Sequence, residues 1–219
     1  DVGTSLVLGN ATGGTGTLNM TNGVLNVGTR LNNPLVVGAA NTNSTTGTAN
    51  LLGGTVNTSA GLRIANNGVN ASGVLNVGTL DGTLSPTVRV STVANGNFET
   101  AVNGTGAFNL YSGTLSLERS NFITGQATGS VARVRIGGGA AIATLDLAGG
   151  DGNRDWNTNR GTGTVNVRAK GLVSVGRNLN LGNYAAVPGG LALTIDGGAV
   201  YLGQGGTNNV GNLNFRNGG

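Results

Sequence analysis

Three short phrases recur along the chain at a nearly constant interval, and no other feature narrows its possible folds so far. The first is an apolar pair or triplet ending in Gly: LVLG at 6–9, LVVG at 35–38, VRIG at 134–137 and LNLG at 179–182, with LRIA at Leu62 and VRVS at Val88 as variants. The second is GTLNM from Gly16, echoed by GTANL at Gly47, GAFNL at Gly106 and GTVNV at Gly163. The third is GVLNVG from Gly23, echoed by GTVNT at Gly54, GVLNVG again at Gly73 and GTLSL at Gly113. Starts of the first phrase at Leu6, Leu35, Leu62 and Val88 are 29, 27 and 26 residues apart, a period that suits one coil of a stacked repeat fold.

Within each phrase apolar and polar residues alternate, as in Leu18-Asn19-Met20 and Leu25-Asn26-Val27. This is the period-two signature of a strand with one buried face. Thr21-Asn22-Gly23 and Leu52-Gly53-Gly54 stand between phrases and supply the positive φ angles of tight corners. Three strands and three corners close a coil. A lone coil cannot cover its inner face, so coils must stack, each strand pairing in parallel with its equivalents above and below.

The expected fold is all-β: a single parallel β-helix (β-solenoid) over 1–219, about eight coils of about 27 residues with three short strands each. At a strand spacing of about 4.8 Å such a rod is on the order of 40 Å long. Beyond Val88 the register loosens, and segments near 94–125 and 150–161 read as inserted loops.

Composition agrees. With 43 Gly and much Asn and Thr the chain is a poor helix former, and only 3 Pro with no Gly at every third position exclude collagen. At 37% hydrophobic and 9% charged it has the aliphatic content of an ordered chain, not the high charge of a disordered one. It has no Cys, hence no disulfide and no thiolate metal site. No apolar run approaches the roughly 18 residues of a membrane span. A chain opening on Asp1 without an initiator Met reads as a processed product or an excised fragment. The net charge of +4 arises from scattered residues, with Arg63, Arg89 and Arg135 one to a segment, so no nucleic-acid site is expected and no basic face with interleaved aromatics is present.

Parallel stacking sets like over like. Asn19, Asn50, Asn109 and Asn166 would then form an amide ladder, and Thr17, Thr48 and Thr164 a hydroxyl row. The alternative is that these side chains simply occupy solvent-facing strand positions.

The phrases GTGTLNMTNGVLNVG (14–28) and LVVG resemble the Gly/Asn/Thr-rich strand repeats of bacterial autotransporter passenger domains and related secreted solenoid proteins. The likeness is best over the first 90 residues. It implies a secreted bacterial right-handed β-helix, extracellular or on the cell surface. It brings over no catalytic residue, since none of the family's enzymatic motifs occurs in this chain.

His and Cys are both absent, which removes Ser-His-Asp and Cys-His catalysis together. Carboxylates cluster only in LDLAGGDGNRDWNTNR (145–160), which holds Asp146, Asp151, Arg154, Asp155 and Arg160. Three readings of that stretch stand side by side. A polysaccharide-cleaving β-helix enzyme would use paired carboxylates or Ca²⁺ with an Arg base. Asp151, Asn153 and Asp155 have the alternate spacing of the first ligands in a calcium loop, although Trp156 stands where such a loop needs Gly and Thr162 where it needs Glu. The third reading is a salt-bridged surface loop. Trp156 reads as a loop anchor or as a sugar-stacking platform, and Tyr111, Tyr184 and Tyr201 as strand or corner residues.

The chain opens directly into a repeat phrase at Leu6 and finishes on VGNLNFRNGG, a strand phrase with a corner. Open coil edges recruit further strands. The expectation is a non-enzymatic structural protein, a solenoid subunit that self-associates head to tail into an extracellular filament. Truncation of a longer passenger explains the same ends, and an adhesive stalk that binds surface glycans is the alternative function. Neither nucleic acid nor membrane insertion is expected, and calcium is the one cofactor considered.

Overall fold

The computed structural model describes residues 2–10, 13–28, 34–39, 44–90, 96–118, 120–148, 155–182, 190–203, 206 and 208–217. Their strands form three parallel sheets, two of eight strands and one of seven. The first sheet stacks Leu6–Leu8, Leu35–Ala39, Leu62–Asn66, Phe98–Thr100, Phe122–Thr124, Trp156–Thr158, Leu179–Asn180 and Asn208–Asn209. The second stacks Thr15–Met20, Thr45–Leu51, Ala71–Val77, Thr105–Leu110, Val131–Ile136, Thr162–Arg168, Gly190–Asp196 and Asn212–Arg216. The third stacks Val24–Val27, Thr55–Thr58, Thr87–Val90, Gly113–Leu117, Ala143–Leu147, Gly171–Val175 and Ala199–Leu202. Successive strands pass from sheet to sheet in the same order, so the chain winds as a β-solenoid whose rungs are numbered 1 to 8 from the first strand. Val2 adds a parallel bridge to Val27 above rung 1, through Val2 N to Asn26 O (2.8 Å) and Gly28 N to Val2 O (2.9 Å). Among the described residues there is no helix.

Alternation places one residue type per column. In the second sheet Leu18, Ala49, Leu75, Phe108, Val134, Val165 and Leu193 follow one another in register, beside Met20, Leu51, Val77, Leu110, Ile136, Val167 and Ile195. All but Leu18 are buried. Burial of each such side chain contributes about 1.5–3 kcal/mol relative to exposure. Rungs 4 to 6 carry an aromatic stack in the core: Phe98 stacks on Phe122 (centroids 4.5 Å apart, planes at 5°) and Phe122 lies 4.8 Å from Trp156. Phe108 meets Phe98 edge-on at 4.9 Å.

In rungs 1 to 5 the turn from the first sheet to the second opens on a left-handed residue, Gly9, Gly38, Ala65, Ala101 and Gly125 in turn, with φ between +54° and +77°. This is the structural meaning of the Gly that ends the first phrase.

Three expectations are corrected. Val88 is not a fourth start of the first phrase; it pairs with Val56 and Leu115 in the third sheet, and the first sheet passes from Leu62 to Phe98. The interval lengthens because the corner after Ala71–Val77 runs through 78–86, where rung 1 turns within 21–23. That corner holds itself together: Thr83 N and Oγ1 donate to Asp81 Oδ1 (3.1 and 2.9 Å), Leu84 N to Thr79 Oγ1 (3.3 Å), and Ser112 Oγ to Leu84 O (2.6 Å). Second, VRIG at Val134 and GVLNVG at Gly73 both lie in the second sheet, although the identical GVLNVG at Gly23 lies in the third. A strand's place in the coil follows from which corner precedes it, which a phrase of four to six residues does not encode. Third, the segment expected as a loop near 94–125 contains the three strands of rung 4 and the first strand of rung 5, all in register. In the segment near 150–161, Trp156–Thr158 is a strand and 150–154 lie outside the described residues.

Candidate functional site

Outward positions of the strands carry the polar residues, so any site must be built from rows of like side chains one rung apart. The second-sheet row begins Asn19, Asn50, Asn76, Asn109. Each amide donates to the one before it: Asn50 Nδ2 to Asn19 Oδ1 (2.7 Å), Asn76 to Asn50 (2.8 Å) and Asn109 to Asn76 (2.9 Å). This ladder includes Asn76, which sequence comparison left out, and stops at Arg135, which separates Asn109 from Asn166. Thr17 and Thr48 are neighbours, but Val74, Ala107 and Arg133 intervene before Thr164. A second pair joins Asn57 to Asn26 (2.8 Å) in the third sheet, and a third joins Asn180 to Asn157 (3.0 Å) in the first.

That third pair floors an open cleft of about 860 Å³ lined by Val102, Asn103, Gln126, Ala127, Thr128, Asp155, Asn157, Asn159, Arg160 and Asn180. Strand alternation fixes its floor: Trp156 and Thr158 turn inward, which directs Asn157 outward. The corners at 101–104 and 125–130 form its wall and are stacked by main-chain bonds, Gln126 N to Ala101 O (3.1 Å), Ala127 N to Val102 O (3.0 Å) and Arg160 N to Gly125 O (3.1 Å). Ser130 Oγ closes the second corner onto Ala127 O at 2.7 Å. The cleft is therefore shaped before any ligand arrives.

Asp155 is the acid at its margin, with 7% of its surface exposed. Arg177 grips it with two bonds, Nε to Oδ1 (2.8 Å) and Nη2 to Oδ2 (2.6 Å), and Asn178 adds its backbone N (3.1 Å) and Nδ2 (3.0 Å) to Oδ1. Burial by itself pushes the carboxyl up, but the bonds from Arg177 and Asn178 outweigh it and hold the group below the usual carboxylate range. A carboxylate held ionised in this way is unsuited to general-acid work. Glu99, paired with Arg63 across one rung (2.8 Å), shows the opposite balance: burial dominates and raises it.

Of the proposed calcium ligands, Asp151 and Asn153 lie outside the described residues, and Asp155 has both oxygens engaged by Arg177. No group of three or more His, Cys, Asp or Glu assembles among the described residues. Trp156 is 1% exposed and faces the core against Phe122, with Nε1 donating to Thr124 Oγ1 (3.2 Å), so it anchors the rung and offers no sugar platform. Tyr111 lies at a corner beneath the Arg135 guanidinium (5.0 Å), Tyr201 is in an exposed strand, and Tyr184 lies outside the described residues. The sequence reading missed Arg177, Asn157, Asn180, Asn103 and Gln126 as a group. Their signal is the Asn that follows an inward apolar residue in Trp156-Asn157 and Leu179-Asn180, which has meaning only once the two strands are placed in register. No family model matches this chain, and neither a curated protein nor a solved structure matches it.

Proposed function

We propose that this chain is a non-enzymatic structural protein of the extracellular or cell-surface space, a β-solenoid rod whose copies join head to tail into a filament. The single observation behind the filament is the chemical match between rung 8 and rung 1. Leu213 and Phe215, 47% and 61% exposed, occupy the columns that begin with Leu18 and Met20. Asn214 stands in the row that begins with Asn19. Setting rung 1 of a second copy on rung 8 continues both apolar columns and the polar row, and pairs the strand edges of the first and second sheets, which have no further strand beside them at either end. Covering each of the two apolar side chains contributes about 1.5–3 kcal/mol. A contact of this kind is heterologous, so it propagates instead of closing. Placement outside the cell is supported by the likeness of the 14–28 phrases to secreted bacterial repeats. The non-enzymatic reading is supported by the Arg177 clamp on Asp155.

Sedimentation and electron microscopy of the purified 219-residue chain test it. Filaments with an axial repeat of about 40 Å, eight rungs at about 4.8 Å, are expected, and Phe215→Arg is expected to leave monomers. A monomer at millimolar concentration, or filaments that form equally well with Phe215→Arg, would sink the reading.

A further inference from the structure

We propose that the cleft over rungs 4 to 7 binds an uncharged glycan chain. The lining supplies five amide side chains, those of Asn103, Gln126, Asn157, Asn159 and Asn180. An amide presents donor and acceptor together, which is what a sugar hydroxyl requires, since it too must donate and accept. Asn103, Gln126 and Asn159 direct their side chains to no hydrogen-bond partner among the described residues, so their bonding capacity is available. Asn157 and Asn180 share one bond, which fixes their orientation and leaves an Asn157 donor and the Asn180 oxygen free. They lie one rung apart, about 4.8 Å, so an extended polymer lying along the rod meets equivalent amides on two successive rungs. Val102 and Ala127 give the wall an apolar strip against which the C–H face of a sugar ring can pack.

Charge selects the ligand class. Asp155 is neutralised by Arg177, leaving Arg160 as the one uncompensated charge of the lining among the described residues. A polyanion would need several cations, and a nucleic acid also a stacking aromatic, whereas Trp156 is turned into the core. A peptide strand finds no edge to extend, because the strands beneath the cleft are paired on both sides, Phe122–Thr124 with Trp156–Thr158 and Trp156–Thr158 with Leu179–Asn180.

The test is calorimetric titration of the full chain, kept monomeric by Phe215→Arg, with neutral hexasaccharides of glucose, xylose, mannose and galactose, and separately with polygalacturonate. At least one neutral hexasaccharide is expected to bind, and to bind about tenfold more weakly to Gln126→Ala and to the double variant Asn157→Ala/Asn180→Ala, the loss of one or two hydrogen bonds. Gln126 sits on a corner outside the strands, so that variant stays informative if the double variant fails to fold. The proposal is overturned if no neutral sugar binds, if only polygalacturonate binds and salt abolishes it, or if Gln126→Ala binds as tightly as the parent. Because the titrated protein cannot stack, these outcomes are independent of filament formation.

Discussion

Gly47 shows how tightly single positions are determined. A Cβ built there lies 2.1 Å from Gly38 N and 2.7 Å from Leu8 O, both main-chain atoms that cannot swing aside. Gly16, Gly47, Gly73 and Gly106 form an inward column at this place, and it faces the left-handed corner residues of the first sheet. Corner and column together carry at most one methyl per rung in rungs 1 to 5: none with Gly9 and Gly16 or Gly38 and Gly47, one with Ala65 and Gly73, Ala101 and Gly106, or Gly125 and Ala132. Gly47→Ala is therefore expected to lose at least about 3 kcal/mol, the upper range for overpacking. Gly3→Ala, with nothing within 4 Å of its Cβ, should stay within about 0.5 kcal/mol. Urea midpoints of the two variants decide; equal midpoints would show that the corner relaxes.

Strand rows act through hydrogen-bonded chains whose interior members make two bonds and whose end members make one. Asn76 donates to Asn50 and accepts from Asn109, whereas Asn19 only accepts. At about 1 kcal/mol net per bond, Asn76→Ala should destabilise by about 2 kcal/mol and Asn19→Ala by about half as much or less, being also more exposed. Similar losses at both positions, in the same denaturation assay, would mean that the amides act singly. The alternation inside each phrase made every such strand legible in the sequence, and the expected Asn19-Asn50 contact follows from it directly. Sheet membership was less legible. The two copies of GVLNVG fall in different sheets because the copy at Gly73 follows the corner at 67–70 that leads into the second sheet, whereas the copy at Gly23 follows the corner at 21–23 that leads into the third, and nothing within the phrase records which corner precedes it. The cleft was less legible still: Arg177 reaches Asp155 from 22 residues away, and Asn103 and Asn157 come to line one cleft only through the stacking of the corners between them.

Over the whole molecule each rung touches mainly its neighbours, so stability is a sum of rung and interface contributions that need not be lost together. Those contributions are uneven. Rungs 4 to 6 hold Phe98, Phe108, Phe122 and Trp156, all fully or almost fully buried, while every residue of Asn212–Arg216 in rung 8 is exposed. Rung 1 is intermediate, since the Val2 bridge covers part of its edge and Leu8, Met20 and Val27 are buried. Local opening should therefore begin at rung 8 and cost progressively more toward the aromatic rungs. Native-state hydrogen exchange on the monomer is expected to show protection that is lowest at 208–216, higher at 15–27 and highest in the strands from Phe98–Thr100 to Thr162–Arg168, with about a hundredfold between the extremes, or about 2.7 kcal/mol. Uniform protection would mean that the rod opens only as one unit. In an associated sample the pattern should change at one place above all: amides of 212–216 gain protection as they bond to the first rung of the next copy, while those of the strands in rungs 4 to 6 stay as they were. Protection gained instead along the outward rows would indicate that copies lie side by side, an arrangement that leaves Leu213 and Phe215 exposed.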